Sequence, residues 1–262
     1  MAFPGEKYPL PEGEQNALIT NMLASECLLL VAGVVGAAVV CGITSGDWLG
    51  AIFGLGWARD IAQSCMALSA TDTAIATAVT AFAMLAFARL VEFIASFSDA
   101  GWNSIIANRQ GINGEIPRIG SYLVFAGMLA AGFAEELLFR FVLVGGLLAI
   151  LSMVIPHEAA IVVVAAVSTV AFWRAHEEYR DAFTSATTLG VAAILCVAFI
   201  VTGSYLVVAI AHAAYDIIDV EIEGSRMLDD DDYFEGEPPQ SAMLDMYEEV
   251  WREENERANK GE

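Results

Sequence analysis

Six stretches of predominantly apolar residues, roughly 22–43, 74–95, 121–150, 159–176, 182–201 and 203–220, constrain this chain before any motif is considered. A helix needs ~20 such residues to cross the ~30 Å hydrocarbon core of a bilayer. With 57% hydrophobic residues and a mean hydropathy of +0.58, the 262-residue chain lies outside the range of ordinary soluble domains. The expectation is an all-α fold, a polytopic transmembrane helical bundle of about six spans.

The opening segment, MAFPGEKYPLPEGEQ, lacks the basic start and cleavage site of a signal peptide, so the first span is expected to remain as an anchor. Trp48 to Trp57 is apolar but too short to span before Arg59 and Asp60, and reads as an interfacial or re-entrant piece. Gly42, Gly46, Gly50 and Gly54 recur at helix-contact spacing, yet Ser45-Gly46-Asp47 favours a turn. Lys7, Arg89, Arg109, Arg118, Arg174, Arg180 and Arg226 fall on the side of both termini, against Arg59 opposite, which predicts cytoplasmic termini. The Gly- and Asn-rich connection from Ser96 to Gly120 is expected on that side as a polar loop.

The net charge of -21 is concentrated in the segment 221–262, where 15 acids and 4 bases give -11. Asp229 to Asp232, Glu235, Glu237, Pro238 and Pro239 read as disordered, and Met243, Met246, Tyr247, Val250 and Trp251 as a short amphipathic helix. A solvated tail is the plain reading; a docking segment for a protein partner or for the protein's own cytoplasmic face is the other. Such acidity argues against nucleic acid and anionic lipid as partners. Cys27, Cys41, Cys65 and Cys196 are scattered, which indicates neither disulfides nor a thiolate metal site. The organisation expected is a cytoplasmic segment 1–21, N-terminal spans and loops 22–120, a helical core 121–220 and an acidic cytoplasmic tail 221–262.

The chemistry is expected in that core. Glu135, Glu136 and Arg140 interrupt an otherwise apolar run, where charges are costly and usually face a polar cavity or one another. Residues four apart share a helix face and neighbours diverge by about 100°, so Glu136 can pair with Arg140 while Glu135 points elsewhere, free to hold a water. A buried ion network that merely orders the bundle is the alternative. Of three histidines, His157 lies in a turn, His176 closes the fourth span one turn after Phe172, and His212 lies in the sixth, one turn before Asp216. Glu135, shielded from bulk water, can act as general base on a water shared with His176, and His212 can direct a ring N–H at the oxyanion formed on a peptide carbonyl. No Gly-x-Ser-Gly turn, no Gly-x-Gly-Asp partner for Tyr215-Asp216 and no His-Glu-x-x-His pair occurs, which sets aside serine, aspartyl and zincin designs.

Glu135-Glu136-x-x-x-Arg140, Phe172-x-x-x-His176 and His212-x-x-x-Asp216, with Thr202-Gly203-Ser204 ahead of the last, resemble in order and type the CPBP family. That family takes in the CAAX prenyl proteases, the Abi and bacteriocin-processing enzymes and lysostaphin resistance protein A-like members. The resemblance covers Ser121 to Val220. It implies an intramembrane endopeptidase of a prokaryotic plasma membrane, in which Glu135 and His176 activate water. His212 and Asp216 would then stabilise the oxyanion, with Glu136, Arg140 and Phe172 in support. Asp216 stands where many members carry Asn; ionised, it accepts but does not donate, so it would have to be protonated or act by orienting His212. Members are often labelled metalloproteases; a metal-free mechanism is preferred here, with Glu135, His176 and His212 as the ligands if Zn binds. The substrate expected is a membrane-associated protein or peptide at the bilayer, a CAAX-type prenylated tail or a leader peptide. A non-catalytic adaptor or immunity protein, and a proton-coupled transporter, are the competing functions. Depth poses a puzzle, because Ser121 to Glu135 is ~21 Å of helix whereas His176 ends its span.

Overall fold

The computed structural model describes residues 4–176, 181–231 and 233–234, and among these every regular element is helical. α1 is Glu12–Ser45, α2 Gly56–Cys65, α3 Ala70–Ala95 and α4 Asp99–Gln110. α5, Ser121–Glu136, continues without a break through a π-helix, Leu137–Gly146, and a last turn, Leu147–Leu151. α6 is His157–Ala175, α7 Ala182–Thr202 and α8 Tyr205–Asp229. Arg180 and the expected tail helix from Met243 to Trp251 lie outside the described residues.

Four helices, α1, α3, α6 and α7, are long and apolar enough to cross a membrane by length and composition. The other two expected spans are helical as well, but one is rewound in its middle and α8 carries Asp216, Asp219, Glu221 and Glu223. Leu28, Val35, Phe82, Val162, Val197 and Val201 are exposed on the outside of the bundle. Such a surface suits lipid rather than water, as an integral membrane protein requires.

The rod that begins at α5 is the axis. It runs parallel to α1, with Met22 against Gly127, Leu137 against Gly33, Val142 against Gly36 and Val40 against Gly146. α8 presses on its other side: a Cβ on Gly132 would lie 2.7 Å from the Ala209 carbonyl oxygen, so only glycine permits that approach. At 34 residues α1 is ~51 Å long, well beyond the hydrocarbon core. Glu135 and His176 nevertheless lie at one level, 3.6 Å apart, which answers the depth puzzle directly.

Ser45-Gly46-Asp47 is a turn: Gly46 has φ +69° and Asp47 accepts from the Gly50 N–H at 2.9 Å, opening a short helix, Trp48–Ile52. The stretch from Ser96 to Gly120 is not the expected loop. It forms α4 and two further turns, Ile112–Glu115 and Ile116–Arg118. Ser98 caps α4 through the Gly101 N–H at 3.1 Å, and Gly101 lies so close to the Ala95 carbonyl that any side chain would collide with it.

α8 also runs past its expected end at 220, and the expected disorder from Asp229 does not hold for the residues described next. Tyr233 is buried, its hydroxyl donates to Glu223 Oε2 at 2.9 Å, and its ring lies 4.5 Å from the Arg109 guanidinium. Arg109 donates to the Tyr233 carbonyl (3.2 Å) and Gln110 to that of Phe234 (2.9 Å). Lys7 pairs with Asp231 at 2.8 Å.

Candidate active site

The three motifs meet at the middle of the bundle. Glu136 and Arg140 are wholly buried, one helical turn apart, with Oε1 and Nη1 at 3.2 Å. The same Oε1 lies 2.9 Å from Nδ1 of His212, a contact between α5 and α8 that spacing along one helix does not reveal. Arg140 also donates to the Ala192 carbonyl of α7 at 3.3 Å and stacks over the Phe172 ring at 4.4 Å. The cluster thereby ties four helices around one guanidinium.

Phe172 carries that order across to His176. Its ring stacks on the imidazole with centroids 4.3 Å apart, and meets Phe139 edge-on at 5.1 Å. His176, the C-cap of α6, has Nδ1 2.9 Å from the Phe172 carbonyl. A carbonyl only accepts, so Nδ1 carries the hydrogen, and in the neutral ring Nε2 presents a lone pair. That lone pair faces Glu135 Oε2 at 3.6 Å, too far for a direct bond, and this carboxylate oxygen is buried without a hydrogen-bond partner. His212 Nε2 faces Asp216 Oδ2 at 3.4 Å, so the second histidine has a carboxylate on each nitrogen. His157, by contrast, lies away from the cluster, beside Ser152 (3.1 Å).

The framework is held by further polar groups, two of them, Ser168 and Tyr205, outside the motifs. Ser168 donates to the Phe139 carbonyl at 2.7 Å within the π-helix, and the Tyr205 hydroxyl donates to the Phe133 carbonyl at 2.7 Å. Gly203, at φ +64°, ends α7, and Ser204 caps α8 through the Val207 N–H at 3.4 Å.

Glu135, His176, His212 and Asp216 line a cavity of about 630 Å³. Its mouth is framed by α4, by the turns that follow it and by Tyr233. Arg89 joins Asp219, Glu92 (2.7 Å) and Glu223 (3.2 Å) there, and Arg226 joins Glu92 and Glu223, which ties α3 to α8. At the mouth, burial and the neighbouring Glu223 carboxylate keep the Tyr233 phenol well above its ordinary pKa, hence neutral. Glu26 of α1 also lines the cavity. It was legible as a lone acid inside the first apolar span, although no motif includes it.

Among the described residues no group of three His, Cys, Asp or Glu side chains lies close enough together to hold a metal ion.

By fold and site the chain is an all-α membrane bundle with a polar cavity built on ionised side chains. Residues 118–218 match the family described as type II CAAX prenyl endopeptidase Rce1-like. Through this core, α5 to α8, the chain is similar to that family of prenyl endopeptidases, over less than half of its length. Comparison with curated proteins and with solved structures gives no match.

Proposed function

We propose that the protein hydrolyses a peptide bond near the cytoplasmic surface of the membrane, in a CAAX-type prenylated tail or a leader peptide, with Glu135 and His176 activating the water. The observation that carries this reading is the pair of acceptors, Glu135 Oε2 and His176 Nε2, facing each other at 3.6 Å with no donor between them. A water that donates one hydrogen to each satisfies both, and its oxygen lone pair is then free to attack. His176 ends α6 and its side chain is 39% exposed, which supports a site within reach of the membrane surface.

In the reaction, Glu135 takes a proton as the water oxygen bonds to the carbonyl carbon. The oxyanion accepts from Nε2–H of His212, a hydrogen shared with Asp216 Oδ2 at 3.4 Å, while Nδ1–H donates to Glu136. Glu135 then returns the proton to the leaving nitrogen, the C–N bond breaks, and the new carboxylic acid passes its proton to the amine, so that a carboxylate and an ammonium group depart. Asp216, as an acceptor, orients His212 rather than donating to the oxyanion. Glu136, Arg140 and Phe172 fix both imidazoles. No metal enters these steps, and hydrolysis is expected to persist under strong chelation.

A non-catalytic adaptor is the second reading, favoured by the Arg140-Glu136-His212 cluster, which joins helices of the bundle whether or not chemistry follows. The test compares protein N- and C-termini by mass spectrometry in membranes of cells carrying wild type, a deletion or Glu135→Gln. Ends that depend on Glu135 support hydrolysis; a Glu135→Gln chain that reproduces every wild-type end leaves the adaptor.

A further inference from the structure

Glu26 is 9% exposed, and its Oε2 is buried without a hydrogen-bond partner. Its neighbour Ser25 offers only a distant contact to Oε1, 3.5 Å, because that hydroxyl donates to the Met22 carbonyl at 2.8 Å. Four other acids of the cavity are matched: Glu92, Asp219 and Glu223 have Arg89 or Arg226, and Asp216 faces His212. Glu135 has the imidazole of His176 at 3.6 Å, whereas among the described residues no basic nitrogen lies within ion-pair distance of Glu26.

Its position gives this vacancy a meaning. α1 and the α5 rod run in parallel, with Met22 at Gly127 and Gly33 at Leu137. Interpolation puts Glu26 level with Ala131, about one helical turn from Glu135 toward the mouth. A peptide entering to place its scissile carbonyl at Glu135 passes Glu26. A carboxylate shielded from water and lacking a counter-charge is unfavourable, and a guest cation relieves that. One carboxylate beside one committed hydroxyl is no ligand set for a metal ion, whereas it suits an ammonium or guanidinium group.

We propose that Glu26 is a specificity-determining residue that receives a lysine or arginine side chain of the substrate, close to the bond that Glu135 hydrolyses. The inference rests on the protease reading.

The test uses the purified full chain in lipid nanodiscs and a farnesyl-cysteine peptide library. Lysine, acetyl-lysine, glutamine or glutamate is placed at each of the three positions before and after the cysteine, and products are read by mass spectrometry. Wild type should cleave the lysine peptide about tenfold faster than the acetyl-lysine peptide at one position. In Glu26→Gln that ratio should fall to near one, and Glu26→Arg should favour glutamate at the same position. Equal rates on lysine and acetyl-lysine peptides at every position in wild type, or an unchanged ratio in Glu26→Gln, overturns the assignment while Glu135-dependent cleavage stands. Absence of Glu135-dependent cleavage of every member overturns the protease reading on this substrate class, and the inference with it.

Discussion

Glu135 and Glu136 are consecutive, equally acidic and both buried, yet their surroundings are opposite. Glu136 is held by Arg140 and His212, deep in the packing between helices. Glu135 borders the cavity, its Oε2 3.6 Å from Nε2 of His176 and without a hydrogen-bond partner. Two neighbours on a helix point about 100° apart, and that alone separates a carboxylate that builds the site from one left open for chemistry. The difference teaches that burial by itself does not mark the reactive group; an unmet hydrogen-bonding capacity facing a cavity does.

The largest effect that would sharpen this contrast is on Glu135. Glu135→Gln should lower peptide hydrolysis by on the order of 10³-fold while leaving thermal unfolding in detergent nearly unchanged. A variant with full activity would erase the distinction. Arg140→Met addresses the other side: stranding Glu136 in the interior should cost about 3–5 kcal/mol, read by denaturant unfolding, with activity lost because both imidazoles lose their support. If Arg140→Met unfolds like wild type, Glu136 is not a structural counterpart to Glu135.

Smaller effects test the frame. Ser168→Ala removes a buried hydrogen bond to the Phe139 carbonyl and should cost about 1 kcal/mol, with little change in the pH dependence of cleavage. Asp181, the N-cap of α7, lies outside the spans; Asp181→Ala should cost about 1 kcal/mol. Partial burial pushes the Asp181 carboxyl up, but the Ser104 hydroxyl and the N–H groups of Phe183 and Thr184 outweigh it and hold its pKa below the ordinary value. Because the folded value is the lower one, the stabilisation is present above the unfolded value and is lost as pH falls through the folded one. The stability gap between wild type and Asp181→Ala should therefore close on acidification, as thermal melts at stepped pH would record.

The helices of this bundle were legible because apolar runs of membrane length leave few alternatives, and Glu136 with Arg140 was legible because four-residue spacing fixes a shared face. The bond from Glu136 to His212 was not, since it joins residues 76 positions apart whose meeting depends on how α8 packs on α5. Gly132 carries the trace of that approach, but a glycine in an apolar run has many readings. The stretch from Ser96 to Gly120 misled for a related reason. Its glycines read as loop punctuation, whereas Gly101 and Gly114 are there because neighbouring backbone leaves no room for a side chain. Tyr233 was hidden by the acids before it, whose charge dominates any local reading of the tail.

The π-wound middle of the central rod has a further consequence. A wider winding turns less per residue than an α-helix, so over Leu137–Gly146 the rod falls behind by roughly a third of a rotation. That lag sets the phase between its two halves, so that the N-terminal half can offer Glu135 to the cavity while the C-terminal half turns Gly146 toward Val40 of α1. Removing one residue from this segment would rotate one half against the other by about a quarter of a turn, a fault in angular alignment that no side-chain substitution could mend.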